Sequence, residues 1–244
     1  MDTWLLNEDH GLPHAGRVWS RALNIIQGSS SNALMHRQIE EGCAFHDSAR
    51  WRKEAKGELN IHSIMGIKLY IKWVENYTEQ VSTGHVLSVC SAIANHDYFG
   101  DHMSGNRIAM PQMFVDQVVC CADKTSLEPD AEVDRFWFYG KSMGEEFYKP
   151  QDDMDDEIYF RINWTPIQRN DLRSDQVCWF SLIFALRPKD FINPWVRAYY
   201  IEWETKKQKA VDRIIELAQK ECPQYVDRIK MIIETYKTYL GLKW

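Results

Sequence analysis

The sequence lacks a long apolar run: no segment approaches the roughly 18 consecutive apolar residues of a membrane-spanning helix. Its first residues, MDTWLLNEDHGLPH, carry acidic side chains where a secretory signal would carry basic ones. These two absences argue against a membrane partner and against an ordinary export signal. We therefore expect a protein that acts in a cytoplasm.

The sequence also lacks an excess of basic charge. Lysine and arginine number 29 against 35 acidic residues, for a formal net charge of −6, and no block of basic residues stands out. A nucleic-acid backbone or an anionic lipid surface attracts proteins that carry such a block or a positive excess. Neither is expected as the main partner.

Cysteines are few and show no C-x-x-C pairs, which argues against a zinc ribbon and against a disulfide-rich scaffold. There is no internal repeat and no low-complexity tract. The six cysteines lie inside apolar segments, and we expect buried free thiols in a reducing compartment at Cys43, Cys90, Cys120, Cys121, Cys178 and Cys222.

Apolar residues are abundant and recur at helical spacing. They make up 45% of the 244 residues, which is enough for the core of one large domain or of two small ones. Their spacing predicts helices at 13–26, 33–46, 61–73, 83–97, 111–123 and, in two segments divided at Cys222-Pro223, 194–241.

The second half of the chain differs from the first in amino-acid composition. LEPDAE (127–132) and KPQDDMDDE (149–157) are acidic and contain helix breakers. EIYFRINW (157–164) and DQVCWFSLIFAL (175–186) are rich in residues that favour strands, so they suggest a small two-stranded insertion, although the second is long enough for a buried helix. The overall prediction is an all-α bundle, with a core at 1–126 and a helical extension at 127–244 that packs on it.

Histidines cluster at the predicted helix ends of the first half: His10, His14, His46, His62, His96 and His102. Taken singly, a histidine at a helix end is typical of a cap or of a hydrogen-bonded core residue. His46 and Asp47 are adjacent where a helix stops, and both side chains can face one cleft if the backbone leaves helical geometry there. Imidazoles and carboxylates from several helices can hold divalent ions that activate water against phosphorus.

The order His14, His46-Asp47, Asp123, with A-D-K at 122–124 and HGLPHAGRV at 10–18, resembles the HD superfamily of metal-dependent phosphohydrolases. The resemblance covers roughly residues 10–126. It implies an all-helical fold and a divalent metal (Mn, Fe, Zn or Mg) held by His14, His46, Asp47 and Asp123. His62 and His96 would complete a second metal position or act as general acid.

A narrower resemblance joins HGLPHAGR (10–17) with FHDSAR (45–50). The pair is similar to the phosphodiesterase domain of the SidE family of bacterial effectors, which cleaves the pyrophosphate of ADP-ribosylated ubiquitin without a metal through a covalent phosphoribosyl-histidine. It implies an effector secreted into a host cytosol. The residues that match its motifs are His10, His14, Arg17, His46, Asp47 and Arg50. Its glutamate would be Glu54 or Glu58, unless His62 takes that place.

The predicted function is that of a phosphodiesterase or phosphohydrolase acting on a nucleotide-like substrate, by resemblance ADP-ribosylated or phosphoribosyl-linked ubiquitin. Its catalytic candidates are His10, His14, His46, Asp47, His62 and His96, and its substrate-binding candidates are Arg17, Arg50, Glu54, Glu58 and Lys124. The alternatives are a metal-dependent HD nucleotide phosphohydrolase and a catalytically silent binding module whose histidines only cap helices. Asp97, in a second His-Asp pair, suits an extra ligand, a ribose contact or ordinary turn chemistry.

Overall fold

A computed structural model of the protein describes residues 11–50, 61–77, 81–97, 111–142 and 191–239. Within these ranges the regular structure is entirely helical, and they contain no strand. The predicted all-α fold is therefore confirmed. The suggested insertion at 157–164 and 175–186 lies outside the described residues. None of the described helices combines the length and the apolar character needed to cross a lipid bilayer.

The helices of the first part of the chain are α1 Leu12–Ile26, α2 Ala33–Phe45, α3 Ile61–Tyr77, α4 Thr83–Asn95 and α5 Phe114–Lys124. They are followed by α6 Pro129–Ser142, α7 Pro194–Glu204, α8 Gln208–Glu221, a 3-10 turn Pro223–Tyr225 and α9 Val226–Tyr239. The chain divides into two units: Met1–Ser126 with Lys189–Tyr200, and Leu127–Pro188 with Ile201–Trp244.

Besides shifts of a few residues at helix ends, the structure differs from the prediction in two places: one helix was not predicted, and one predicted helix is broken. α6 begins at Pro129, inside the stretch LEPDAE that was expected to break helices. Proline suits the first turn of a helix, whose N–H groups have no partner within the helix, and the acidic residues Asp130 and Glu132 favour the positive end of the helix dipole. The helical region after Pro194 has an additional break between α7 and α8, where Thr205 Oγ1 donates to the carbonyl of Glu202 at 2.6 Å.

The core of the first unit lies between α1, α2, α4 and α5, which pack against one another. Asn32 and Ser82 cap α2 and α4 by accepting backbone N–H groups from Met35 and His85. The start of α7 joins this unit, because Asn193 N donates to Gln117 Oε1 at 2.7 Å. The fully buried apolar side chains include Val18, Ala22, Ile39, Cys43, Val89, Ala92, Ile93, Val118 and Val119.

Two glycines allow unusually close approach of helices near the ends of α2 and α3. A Cβ on Gly42 would lie 2.9 Å from Val119 Cγ2 and 3.4 Å from Ala92 Cβ. A Cβ on Gly66 would lie 2.9 Å from the backbone oxygen of Phe45 and 3.2 Å from Ile93 Cγ2. The absence of a side chain at these positions therefore sets how closely α2, α3, α4 and α5 approach.

We expect Gly66→Ala to lower the free energy of unfolding by about 1–3 kcal/mol, because the backbone of α2 must move away from the new methyl group. Gly16→Ala is the matched control, since no described atom outside α1's own backbone and the neighbouring residues lies within 4 Å of a Cβ there. That change should raise stability by about 0.5–1 kcal/mol through helix propensity. Urea unfolding of both variants measures the effect, and equal stabilities would contradict the close-approach argument.

In the second unit, α8 packs against α6 and α9. Trp137 of α6 donates Nε1 to Glu221 Oε2 at 3.0 Å, and Arg213 of α8 donates to Asp134 Oδ1 at 2.7 Å. Lys207 is fully buried and donates to Glu204 Oε1 at 2.5 Å. The two bonds between α6 and α8 supplement the packing of buried apolar residues such as Val133 and Ile214.

Candidate metal centre

Four histidines in the described part of the first unit converge from four different helices. His14 lies in the first turn of α1 and His62 in the first turn of α3, whereas His46 and His96 follow the last residues of α2 and α4. All four are buried, and His46 and His96 are completely buried. Burying so many ionisable rings is costly unless they are bonded to each other or to a ligand.

His46 and His96 are held in the same way. The Nδ1 of His46 lies 2.8 Å from the backbone oxygen of Cys43, and the Nδ1 of His96 lies 2.7 Å from that of Ile93. A carbonyl oxygen only accepts, so Nδ1 must carry the hydrogen in both rings. In the neutral ring the free lone pair is then on Nε2, which is the atom that both histidines point into the cluster.

His46 and Asp47 follow the last residue of α2, where the backbone bonding changes, as predicted. His46 retains helical backbone angles, with φ −53° and ψ −45°, and its N–H still bonds the carbonyl of Gly42 at 3.0 Å. The bonding then shortens to a three-residue spacing that encloses both residues, because Ser48 N bonds Phe45 O and Arg50 N bonds Asp47 O. The two neighbouring side chains reach the same cluster, since His46 Nε2 and Asp47 Oδ2 are 3.9 Å apart.

The four rings are arranged as two facing pairs. The Nε2 atoms of His14 and His46 are 3.1 Å apart, and those of His62 and His96 are 3.3 Å apart. The two pairs adjoin, since the ring centroids of His46 and His96 are 5.0 Å apart. Each pair thus brings two nitrogen atoms close enough to bind one ion.

Asp47 lies between the two pairs and presents one oxygen to each. Its Oδ2 is 3.7 Å from His14 Nε2 and 3.9 Å from His46 Nε2. Its Oδ1 is 3.7 Å from His62 Nε2 and 3.4 Å from His96 Nε2. A carboxylate in this position is suited to bridge two cations.

Asp123, near the end of α5, adds a second carboxylate to the first pair. Its Oδ1 lies 3.2 Å from His14 Nε2 and 3.6 Å from His46 Nε2. Ligand atoms about 2.0–2.2 Å from one divalent ion lie about 3.0–3.5 Å from each other, so these separations fit with small adjustments. Among the described residues, His14–His46–Asp123 and Asp47–His62–His96 can therefore each hold a metal ion, and His96–Asp97–Asp123 form a third group with suitable spacing.

Two basic residues neutralise the carboxylates of the cluster. Arg50 Nη1 donates to Asp47 Oδ1 at 2.9 Å, and Lys124 Nζ donates to Asp123 Oδ2 at 2.6 Å. Burial alone would raise the pKa of Asp123, but Lys124 and the hydrogen bonds of His14 and His46 outweigh it and hold that pKa well below the usual range. Asp123 is therefore ionised and available as a ligand.

The histidines of the first pair respond differently to their surroundings. Burial lowers the pKa of His14, despite the hydrogen bond with Asp123. Burial would also lower the pKa of His46, but the charges of Asp47 and Asp123 outweigh it and raise that pKa. The carboxylates thus attract positive charge to the space between the two rings, and a divalent ion supplies it with a fixed ligand geometry.

The structure brings together most of the residues that the sequence singled out: His14, His46, Asp47, Arg50, His62, His96, Asp123 and Lys124. Arg17 is half-buried on α1, one turn beyond His14. His10, Glu54 and Glu58 lie outside the described residues. The sequence did not decide among several roles for Asp97, and the structure shows that it is buried at the cluster. The sequence feature that pointed to it was the second His-Asp pair.

Comparison of the chain with models of protein families, with curated proteins and with solved structures gave no match. The HD and SidE resemblances therefore remain predictions, and the function must be argued from the geometry of the site.

Proposed function

We propose that the protein is a divalent-metal-dependent phosphohydrolase that acts on a phosphate ester or pyrophosphate of a nucleotide-like substrate. One observation carries the proposal: two facing pairs of imidazole Nε2 atoms are separated by Asp47, which directs one oxygen to each pair. This arrangement supports the metal-dependent HD alternative over the metal-free one.

A metal-free mechanism requires a histidine whose Nε2 lone pair is open to the phosphorus atom. Here the Nε2 of His46 faces the Nε2 of His14 at 3.1 Å, and the Nε2 of His96 faces that of His62 at 3.3 Å. Both His46 and His96 are fully buried. His46 and His96 are therefore poorly placed to attack a phosphorus atom and well placed to bind a metal ion through Nε2.

The charge of the cluster also favours metal dependence. Asp47, Asp97 and Asp123 contribute three negative charges, and Arg50 and Lys124 contribute two positive ones. With neutral imidazoles the cluster is net negative and would repel a phosphate group. Two divalent ions would reverse that sign and so favour binding of an anionic substrate.

Bound divalent ions would activate a water molecule as nucleophile and offset the charge that develops on the phosphate oxygens. The residues of the chain would hold these ions and orient the substrate. Arg50, whose side chain is 28% exposed, is positioned to reach a phosphate from the solvent side. Lys124 lies deeper, with a side chain that is 9% exposed, and maintains the ionised state of Asp123.

A silent binding module explains the cluster less well. Capping accounts for the Nδ1 bonds of His46 and His96 to backbone carbonyls. It does not account for burying four imidazoles together with several carboxylates, because unneeded buried ionisable groups cost stability. The presence of these buried groups, despite their cost in stability, favours a site that binds a ligand such as a metal ion.

The test combines metal analysis with turnover assays. The purified protein is assayed on p-nitrophenyl phosphate, bis(p-nitrophenyl) phosphate and ADP-ribosylated ubiquitin, before and after chelation. We expect bound Mn, Fe or Zn, loss of activity in chelator and recovery with added Mn²⁺. Cleavage of ADP-ribosylated ubiquitin by metal-free protein would instead establish the SidE-type mechanism, and metal binding without any turnover would favour the binding module. Ubiquitin as partner and a host cytosol as location remain predictions from the resemblance.

A further inference from the structure

Asp97 is a buried carboxylate in contact with the second histidine pair. It follows His96 directly after α4, as Asp47 follows His46 after α2. Its Oδ2 lies 2.8 Å from His62 Nε2, and its Oδ1 lies 3.6 Å from His96 Nε2. The contact with His96 falls within the range of 3.1 to 3.9 Å found among the ligand candidates of the first pair, whereas the contact with His62 is shorter and is a hydrogen bond.

We propose that Asp97 is a ligand of the second metal ion, and that this ion is held by His62, His96, Asp97 and the Oδ1 of Asp47. The proposal rests on the metal centre of the proposed function. It adds a fourth protein ligand to a position that would otherwise have two histidines and a shared carboxylate.

With Asp97 included, the two metal positions have the same composition. The first has His14, His46, Asp123 and the Oδ2 of Asp47. The second has His62, His96, Asp97 and the Oδ1 of Asp47. Each position therefore has two imidazoles, one unshared carboxylate and one oxygen of Asp47. In each pair, one histidine is also oriented by a bond from Nδ1 to the backbone carbonyl three residues before it.

Lys124 extends this correspondence to the residues behind the ligands. Its Nζ lies 2.6 Å from Asp123 Oδ2 and 3.4 Å from Asp97 Oδ1. A single ammonium group therefore contacts the carboxylate of each metal position that is not shared with the other. Because the two ligand sets contain the same kinds of atom, they favour the same kinds of metal ion.

The alternative role for Asp97 is to neutralise Lys124 and Arg50. The distances favour the ligand role, because Asp97 lies closer to His62 Nε2, at 2.8 Å, than to Lys124 Nζ, at 3.4 Å, or to Arg50 Nη1, at 4.0 Å. The atom nearest to the Asp97 carboxylate is thus His62 Nε2, which faces His96 Nε2. An ion held between these two nitrogens would be within reach of Asp97.

The experiment measures Mn²⁺ binding to the full chain by calorimetry and by electron paramagnetic resonance. We expect two ions per chain in the original protein, with the spectrum of a coupled pair. Asp97→Asn, which keeps the size of the side chain, should weaken the second ion at least about tenfold and give the spectrum of an isolated ion at limiting Mn²⁺. Asp123→Asn should do the same at the first position. Asp116→Asn, a buried aspartate of α5 bonded to Ser91, is the control and should bind two ions unchanged.

A crystal structure of the original protein with Mn²⁺ provides a measurement that needs no variant. Anomalous scattering should show an Asp97 oxygen about 2.2 Å from the second ion. Two ions bound equally well by Asp97→Asn, or a second ion without contact to Asp97, would overturn this inference and leave the proposed function intact. Two ions that depend on Asp97, in a protein that hydrolyses no phosphoester, would support the inference and contradict the proposed function.

Discussion

Asp47→Asn is expected to lower kcat/KM for any phosphoester that the protein hydrolyses by about three orders of magnitude, equivalent to about 4 kcal/mol of transition-state stabilisation. The reason is geometric. Asp47 presents Oδ2 to one histidine pair and Oδ1 to the other, so an amide at this position removes an anionic oxygen from both metal positions at once. Metal analysis should show the loss of both ions.

The control for Asp47→Asn is Asp116→Asn, the same chemical change at another buried aspartate. Burial raises the pKa of Asp116, against the hydrogen bonds of Ser91 and Asn95, so a neutral amide is a close substitute there. We expect its metal content and kcat/KM to match those of the original protein. Full activity in Asp47→Asn, measured alongside a folded and equally loaded control, would exclude a bridging role for Asp47.

Glu41→Ala is expected to lower the free energy of unfolding by about 2–5 kcal/mol, because it leaves buried donors without an acceptor. The Oε2 of Glu41 accepts a hydrogen bond from Tyr70 OH at 2.7 Å and lies 2.7 Å from His85 Nε2. Its Oε1 accepts from Arg37 Nε at 2.8 Å. Tyr70 is fully buried and His85 nearly so.

Urea unfolding at neutral pH measures this effect. Glu40→Ala is the matched control: Glu40 is the preceding residue of α2 and is exposed, so its removal should change stability by less than about 0.5 kcal/mol. Equal losses in the two variants would show that the buried network contributes nothing specific.

The same carboxylate predicts a dependence on pH. Burial alone would raise the pKa of Glu41, but the hydrogen bonds of His85, Tyr70 and Arg37 outweigh it and lower that pKa. A lowered pKa in the folded state contributes stability above the unfolded value, near 4.5, and that contribution is lost as the pH falls through the folded pKa. The stability difference between the original protein and Glu41→Gln should therefore shrink in acid.

Glu41 also links the candidate metal centre to the rest of the first unit. Its partners Tyr70 and His85 belong to α3 and α4, and Glu41 itself lies on α2. The same three helices carry His62, His96 and His46. We therefore expect Glu41→Ala to weaken Mn²⁺ binding as well as stability, because the relative positions of these helices determine the separations between the histidines.

The helices were predictable because their apolar residues repeat with a local period that needs no knowledge of distant contacts. The spacing placed α1 to α5 within a few residues of their observed bounds. It failed at Pro129, where a residue that interrupts helices also suits their first turn. No sequence pattern predicted the hydrogen bonds of Glu41. Its partners Tyr70 and His85 are distant in sequence, His85 by 44 residues, and each of the three is a type common on protein surfaces.

The sequence by itself determined that the chain is helical, and it predicted a site formed by His14, His46, Asp47, His62, His96 and Asp123. Only the tertiary structure decided that the histidines meet as two pairs, that Asp47 faces both, and that Asp97 lies beside the second. The physical reason is that such contacts depend on how closely the helices approach, which is set by tight packing at Gly42 and Gly66. Local periodicity carries no information about that distance.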